Sequence, residues 1–225
     1  MRRRALLQLT EESFPGLFFY ASLTESKYPD FVNEGDWGLY HEGSSIIQNG
    51  ELFISSRNSS YGLVFGKRVP IDVNLTFSIF VTPQYALGFN DMHGYRTTNS
   101  QSNTGCRFAK HQNDNRNRFQ TDGIGFDDVS FSLFAPNLTK TFISYTIIFN
   151  APDYTFIVYV NGIKQGEWTF NEPLFSRSSL ERFSIGTNAS NNNCIGYFSH
   201  FSVFKQLSDK QVMQLYMNGG VPLNY

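Results

Sequence analysis

Short segments in which apolar and polar residues alternate recur along the chain from about Leu17 to Phe204. The clearest of them runs from Asn74 to Val81, where every second residue is apolar. Successive side chains of a strand point to opposite faces, so this pattern predicts a strand with one apolar face. The apolar face carries Leu75, Phe77, Ile79 and Val81, and the opposite face carries Thr76 and Ser78.

Two Asn-Gly pairs, Asn49-Gly50 and Asn161-Gly162, separate apolar stretches and predict tight β-hairpins. Both central residues of a type I′ turn need a positive φ angle, which Asn and Gly adopt readily. A succession of short strands between turns is typical of a β-sandwich or barrel. The other predicted strands are Leu17–Leu23, Ser45–Ile47, Leu52–Ile54, Tyr61–Phe65, Val129–Phe134, Thr141–Phe149, Tyr154–Val160, Arg182–Gly186 and Ile195–Phe204.

One segment near the end of the sequence predicts a helix. Ser208 and Gln211 have the spacing of a capping box, in which each side chain binds a backbone N–H group of the other residue. Leu207 and Val212 have the spacing of the hydrophobic staple that accompanies such a cap. Gly219 is expected to end the helix, because glycine is common just after the last helical residue. The sequence therefore predicts one short helix after the last strand.

Aromatic residues are abundant and charged residues are scarce. The chain has 23 Phe and 12 Tyr, and only 16% of its residues are charged, against about 25% in an average globular domain. Asn, Ser and Thr, or a partner, must therefore cover the surface, which favours a recognition function. A net charge of −1 excludes the basic surface on which nucleic-acid binding depends.

No repeat or linker divides the sequence, so we expect one sandwich domain over residues 15–225, preceded by a basic arm over residues 1–14. The apolar run Ala5–Leu7 is too short for the core of a signal peptide or for a membrane span. The arm is either a solvated terminus or a contact to a neighbouring subunit. Cys106 and Cys194 form a disulfide only in an oxidising compartment and are free thiols otherwise.

Four blocks in the second half of the chain, in order, resemble the laminin-G/pentraxin group of concanavalin A-like domains. They are a strand that ends at an Asn-Gly hairpin (Tyr154–Gly162), an Ile-Gly strand (Phe183–Gly186), a glycine-aromatic strand (Ile195–Phe204) and the Leu-Ser helix start (Leu207–Val212). The segment Phe77–Pro83 is also similar to a strand of this family. The resemblance implies an all-β, antiparallel β-sandwich of the jelly-roll type with one short C-terminal α-helix.

Catalysis is not expected. The laminarinase-type hydrolases of the same superfamily carry the motif E-x-D-x-x-E on one strand, whose carboxylates act as nucleophile and acid/base. The nearest match here, Glu34 to Leu39, contains Asp36 but lacks the final Glu. No nucleophile elbow and no zinc-binding histidine spacing is visible, so the sequence predicts a protein that is not an enzyme.

The residues require no cofactor, but the resemblance implies calcium, which this family holds on loops at one end of the sandwich. The candidate ligands are Asp91, Asp127 and Asp128. The alternative is that these residues are turn formers, because Asp and Asn stabilise turns by local hydrogen bonds.

A mostly polar stretch from Asn90 to Asp122 is interpreted as a long functional loop. Its aromatic, cationic and amide side chains suit stacking on a sugar ring or anchoring a protein contact. The candidate ligand-binding residues are Asn90, Asp91, His93, Tyr95, Arg96, Arg107 and Asn113.

Two hypotheses of function follow. The first is a non-catalytic recognition module that binds a glycan or a cell-surface protein, which favours an extracellular, virion or cell-surface location even though no cleavable signal peptide is visible. The second is a structural subunit of a homo-oligomer or larger assembly, such as a virion coat, an appendage or a cytoskeletal array. A large exposed apolar patch would favour assembly. The test lies in the outward-facing strand residues Phe80, Ile148, Ile157 and Tyr159.

Overall fold

The alternating segments form β-strands in the computed structural model of the chain. The structure describes residues 14, 16–33, 38–41, 45–55, 63–70, 74–84, 90–96, 105–110, 117–120, 126–128, 138–150, 153–170, 179–186 and 195–222. The predicted strand at 129–134, residues 1–13 of the basic arm, Glu34, Asp36, Cys194 and Asn113 lie outside these residues.

Sixteen strands and one helix are present in the described part of the chain. They are β1 (Leu17–Ala21), β2 (Phe31–Val32), β3 (Gly38–His41), β4 (Ile46–Gln48), β5 (Glu51–Ile54), β6 (Leu63–Pro70), β7 (Leu75–Pro83), β8 (Asn90–Arg96), β9 (Gly105–Lys110), β10 (Asn117–Gln120), β11 (Phe126–Asp128), β12 (Thr141–Asn150), β13 (Asp153–Val160), β14 (Ile163–Phe170), β15 (Ser179–Ile185), β16 (Gly196–Lys205) and α1 (Asp209–Met217).

The strands form two antiparallel sheets. The first sheet has nine strands, in the order β14-β13-β12-β7-β16-β1-β2, with β5 paired to β16 and β4 paired to β5. The second sheet has seven strands, in the order β11-β10-β9-β8-β15-β6-β3. Two stacked antiparallel sheets are a β-sandwich, which confirms the predicted fold class.

The core lies between the two sheets. Phe19 of the first sheet packs against Phe65 of the second, with ring centroids 4.8 Å apart. Ile79 and Val81 of β7 are buried in the same cluster, together with Ile185 of β15. The apolar face predicted for Asn74 to Val81 is therefore the inner face of the first sheet, and the prediction for this strand is confirmed.

The helix α1 lies on the outer face of the first sheet. Ser208 caps it, and the reciprocal hydrogen bonds with Gln211 form the predicted capping box. Leu207 and Val212 are buried in one cluster with residues of the outer face, among them Phe142 and Phe204. The helix thus gives the first sheet an apolar layer on both of its faces, and its predicted start and cap are confirmed.

Both predicted Asn-Gly turns are present. Asn49 and Gly50 have φ angles of 55° and 73°, and Asn161 and Gly162 have φ angles of 50° and 77°. These positive values match the two central positions of a type I′ turn. Each turn joins adjacent antiparallel strands, β4 to β5 and β13 to β14.

One interpretation of the sequence differs from the structure. The stretch from Asn90 to Asp122, taken as one long loop, contains the strands β8, β9 and β10 of the second sheet. The alternation was hidden because most residues of these strands are polar and because β8 is irregular between Asp91 and His93. None of the helices in the described residues is long and apolar enough to cross a membrane.

Candidate functional site

The helix α1 covers part of the outer face of the first sheet and leaves the rest of that face accessible. Phe80, Ile157 and Tyr159 are nearly inaccessible to solvent, at 8%, 7% and 1% exposure, and belong to the cluster that α1 completes. Ile148 packs against the same cluster and is half-buried. The chain therefore covers most of the apolar surface that would have favoured an assembly subunit.

Beyond the helix-covered cluster, four side chains form a row across neighbouring strands of the outer face. In the register, Ile46 of β4 lies opposite Phe53 of β5, Phe53 opposite Tyr197 of β16, and Tyr197 opposite Thr82 of β7. We call these four residues the aromatic row. The rings of Phe53 and Tyr197 are stacked, with centroids 4.6 Å apart and planes 28° apart. Ile46 is 49% exposed and the other three are half-buried.

Polar side chains lie beside the aromatic row. The hydroxyl of Ser199 donates a hydrogen bond of 2.8 Å to Oε1 of Glu51. Nζ of Lys140 forms an ion pair of 2.9 Å with the same oxygen and lies 5.2 Å from the ring centroid of Phe80. Because Glu51 and Lys140 neutralise each other, the patch offers hydrogen-bonding groups without net charge. The Glu51 and Lys140 side chains are 20% and 49% exposed, so both are accessible to a ligand.

His200 marks the boundary between this patch and the helix-covered cluster. Its φ angle is 55°, at an irregularity in the pairing of β16 with β7 between Ser199 and Ser202, so it does not continue the strand alternation. Its Nδ1 lies 2.8 Å from the hydroxyl of Tyr20, and the two groups form a hydrogen bond. Burial, and then the charge of Lys140, lower the pKa of His200. The ring is therefore a structural element of the bulge.

The residues predicted to bind ligand fall on two strands of the second sheet. Asn90, Asp91, His93, Tyr95 and Arg96 are on β8, and Arg107 is on β9. Their role as ligand-binding residues stays a prediction.

The register separates these residues between the two faces of the sheet. His93 pairs with the core residue Ile185, and Tyr95 pairs with Phe183, which lies two residues before Ile185 on β15. Residues directly opposite each other in antiparallel strands share a face, so His93 and Tyr95 hold core-facing positions. Arg96 and Arg107 hold positions on the outer face, since Arg96 alternates with Tyr95 and Arg107 pairs with Gly94.

The predicted calcium ligands lie on two strands, β8 and β11, which are separated in the sheet by β10 and β9. Asp91 pairs with Ala109, Ala109 pairs with Arg118, and Arg118 pairs with Asp128. Neighbouring strands are about 4.8 Å apart, so the backbones of Asp91 and Asp128 are about 14 Å apart. Calcium binds its ligands at about 2.4 Å, so the register does not favour one ion shared by both carboxylates. No group of three potential metal ligands occurs within the described residues, and the calcium site stays a prediction.

The sequence contained little signal for the aromatic row. Its four residues come from four strands, and only the hairpin between β4 and β5 joins two of them locally. The pairing of Phe53 with Tyr197 spans most of the chain and depends on the position of β16 in the sheet. Period-two alternation predicts which residues of one strand share a face, but it does not predict which strands are neighbours.

Neither a protein-family model nor a curated protein sequence matches the chain. Solved structures do match it. The binding domain of Paraclostridial mosquitocidal protein 1 aligns with a TM-score of 0.65 and 17% identity, over 91% of this chain and 52% of that one. The binding domain of botulinum neurotoxin DC, solved in complex with rat synaptotagmin II, aligns with a TM-score of 0.66 and 14% identity, over 90% and 51%.

A sialidase from Trypanosoma rangeli aligns with a TM-score of 0.63 and 11% identity, over 93% of this chain and 34% of the enzyme. The chain shares the β-sandwich fold of the parts of these proteins that it aligns with. It spans about half the length of the two toxin domains and about a third of the sialidase.

Proposed function

We propose that this chain is a non-catalytic recognition module that binds a neutral glycan on the outer face of the first sheet. The observation that carries the proposal is the aromatic row beside the Glu51–Lys140 ion pair. Sugar rings present apolar C–H faces that pack on aromatic rings, and their hydroxyls bind carboxylate, ammonium and hydroxyl groups. All of these groups lie together on this part of the sheet.

The charges of the patch favour a neutral sugar over a charged one. Glu51 and Lys140 share an ion pair of 2.9 Å, so an incoming anion would compete with Glu51 and an incoming cation with Lys140. Neutral hydroxyls can bind the remaining acceptor and donor positions of both groups while the ion pair stays intact. The half-buried rings of Phe53 and Tyr197 supply the apolar contact.

Two further observations support a binding role. The similar structures include binding domains, one of them in complex with a protein, which is consistent with recognition by this fold. The residues Phe80, Ile157 and Tyr159 are buried by the chain itself, which leaves less apolar surface for an assembly subunit. A cell-surface protein remains the alternative ligand, and the experiment below distinguishes it.

The test is an array of neutral and charged glycans, followed by calorimetry with the best neutral oligosaccharide, on the wild type, Tyr197→Ala and Glu51→Gln. Tyr28→Ala is the matched control, because Tyr28 is 64% exposed and lies outside the aromatic row. We expect Tyr197→Ala to weaken binding at least about tenfold, which corresponds to about 1.4 kcal/mol, and the control to bind like the wild type. Circular dichroism and the melting temperature of each variant verify that it is folded.

The outcomes separate the hypotheses. Glycan binding that is equally lost in Tyr28→Ala and Tyr197→Ala contradicts this location of the site. Absence of neutral-glycan binding together with a stable oligomer in light scattering contradicts the proposal and favours the assembly subunit. Absence of glycan binding by a monomer contradicts it as well and favours a protein ligand.

A further inference from the structure

The loop that joins β1 to β2, residues 22–30, is closed at its base by hydrogen bonds. The backbone N–H of Asp30 donates a hydrogen bond of 2.9 Å to the carbonyl oxygen of Tyr20. The backbone N–H of Ser22 donates to the carboxylate of Asp30, and the carbonyl oxygen of Ser22 accepts a bond of 2.9 Å from the backbone N–H of His200. Both ends of this segment, which we call the β1–β2 loop, are therefore fixed to each other and to β16.

Leu23 anchors the β1–β2 loop in the core of the sandwich. Its side chain is fully buried in the same cluster as Phe19, and its φ angle is 57°. A positive φ angle is unfavourable for a bulky residue and persists only where the surrounding structure fixes it. Strained positions of this kind occur mainly at functional sites, which makes the loop a candidate for one.

Tyr28 is the exposed side chain that the loop presents. Its side chain is 64% exposed, and it is the one aromatic residue among the large hydrophobic residues exposed in the described part of the chain. Its backbone N–H donates a hydrogen bond of 3.0 Å to Oγ of Ser26. Pro29 follows it, and the residue before a proline is restricted to extended conformations. The backbone of Tyr28 is therefore fixed while its ring is open to solvent.

A fixed loop with an exposed tyrosine has the properties of a binding anchor. Ordering a loop on binding costs free energy, so a loop that is already ordered retains more of the affinity of its contacts. Tyrosine offers a large contact area with only two side-chain torsions, and it is one of the residues that contribute most to the binding free energy of protein interfaces. Binding sites for small molecules are concave, whereas Tyr28 projects from a loop, so its partner has to supply the concave surface.

The charges of the β1–β2 loop indicate what surrounds such a concave surface. Glu25 and Asp30 are exposed, and Lys27 between them is half-buried. Residues 22–30 contain these two carboxylates and this one ammonium group, so the loop has a net charge of −1. Interfaces place opposite charges against each other, and a basic rim complements this loop.

We propose that the β1–β2 loop is a protein-binding surface, in which Tyr28 enters an apolar pocket of a partner protein and Glu25 and Asp30 contact basic residues at the rim of that pocket. Asp30 has a second role as a positioning residue, because its carboxylate closes the loop through the backbone of Ser22. Tyr28 lies outside the aromatic row, so this proposal does not rest on the binding of a neutral glycan there.

The test uses a display library of random, disulfide-constrained peptides as the probe. Selections run in parallel on the immobilised full chain and on Tyr28→Ala. We expect a peptide family that is enriched on the wild type and absent from the selection on the variant. Its members should carry Lys or Arg, and their affinity should fall as salt rises, since salt screens exposed charges.

Calorimetry on soluble proteins then measures the affinity of the wild-type-specific peptides. Tyr28→Ala should bind at least about tenfold more weakly than the wild type, and Tyr28→Phe, which keeps the ring, should stay within about threefold. Tyr197→Ala is the control for the aromatic row and should bind like the wild type. The melting temperature of each variant verifies that it is folded.

Asp30→Ala tests whether the loop is held in place, because it leaves the ring of Tyr28 intact. We expect trypsin to cleave after Lys27 faster in this variant than in the wild type, and peptide affinity to fall at least about threefold. Asp153→Ala is the matched control. Asp153 is a half-buried carboxylate on β13, four strands away from β1 in the sheet, and its variant should change neither quantity.

Three results would overturn the inference. The first is enrichment of the same peptide families on the wild type and on Tyr28→Ala. The second is an equal loss of peptide binding in Tyr197→Ala, which would place the contact at the aromatic row. The third is a Tyr28→Ala variant that loses glycan binding while no wild-type-specific peptide is found, which would show that the loop contacts a sugar.

Discussion

The hydroxyl of Tyr159 donates a hydrogen bond of 2.7 Å to the carboxylate of Asp209. Tyr159 is buried on β13, and Asp209 is the first residue of α1, so this contact ties the start of the helix to the first sheet. The carboxylate also lies in the first turn, where it interacts favourably with the positive end of the helix dipole. Burial and the interaction with Asp209 both raise the pKa of Tyr159.

Tyr159→Phe should lower the free energy of unfolding by about 1 kcal/mol, because one hydrogen bond is lost while Asp209 stays solvated. Urea denaturation followed by circular dichroism measures the change. Tyr28→Phe is the control, since Tyr28 is exposed and its variant should match the wild type. Equal stability of Tyr159→Phe and the wild type would contradict a role of this contact in docking α1.

The two Asn-Gly turns offer a matched pair of substitutions. A β-carbon on Gly50 would meet nothing within 4 Å, whereas one on Gly162 would lie 2.8 Å from Sδ and 3.0 Å from Cα of Met213 on the helix. Both glycines have φ angles above 70°, so alanine costs roughly 1 kcal/mol of backbone strain at either position.

Gly162→Ala should therefore destabilise the protein by at least about 1 kcal/mol more than Gly50→Ala, because it also displaces α1. Thermal or urea unfolding of the two variants gives the difference directly. If both variants lose the same stability, the hairpin between β13 and β14 does not pack against the helix as described.

Thr76 is buried and forms a polar contact with the segment that leads into α1. Its hydroxyl oxygen accepts a hydrogen bond of 2.9 Å from the backbone N–H of Leu207 and lies 2.8 Å from the hydroxyl of Thr146. Thr76→Val keeps the shape but leaves the N–H of Leu207 without its acceptor, so we expect a loss of about 1–3 kcal/mol. Thr82→Val, on the same strand and half-buried, should change stability by less, and unfolding in urea compares the two.

His200 should make stability depend on pH. Its pKa is lowered in the folded state, so the ring is neutral in both states above its ordinary pKa of about 6.5 and contributes nothing there. As the pH falls below that value, the unfolded chain takes up the proton more readily than the folded one, and the free energy of unfolding decreases. The loss continues until the pH reaches the lowered folded pKa.

His200→Asn removes this titration and tolerates the positive φ angle at the bulge. Urea unfolding at pH 8 and pH 5 should show a larger loss for the wild type than for the variant. The other histidines are common to both proteins and cancel in the comparison. A loss of the same size in both proteins would exclude His200 as the titrating group.

Local features of the sequence predicted local features of the structure well. The capping box at Ser208, the turns at Asn49 and Asn161 and the alternation in β7 depend on residues a few positions apart, and each was confirmed. Such signals arise from backbone geometry that neighbouring residues determine together.

Relationships between distant strands were not predictable in the same way. The opposition of Arg96 and Arg182 depends on β8 and β15 being neighbours, although many residues and several strands separate them in sequence. The polar character of residues 90–122 suggested a loop because most residues of β8, β9 and β10 are polar, so few apolar positions revealed the strand alternation. The alternation of Cys106 and Phe108 around Arg107 was the signal that could have identified β9 as a strand.

The position of β16 in the first sheet has a consequence for how the chain folds. This strand pairs with β1, β5 and β7. Its pairing with β1 places Leu17 opposite Phe204, although these residues lie near opposite ends of the domain in sequence. Contacts between residues so far apart in sequence carry a large loop-closure entropy and slow the folding of all-β domains to milliseconds or seconds. The strands β12, β13 and β14 pair with their neighbours in sequence, so we expect these pairings to form before β16 joins the sheet. Until then the long apolar edge of β7 has no partner on that side, and the partly folded chain is open to association with other chains at this edge.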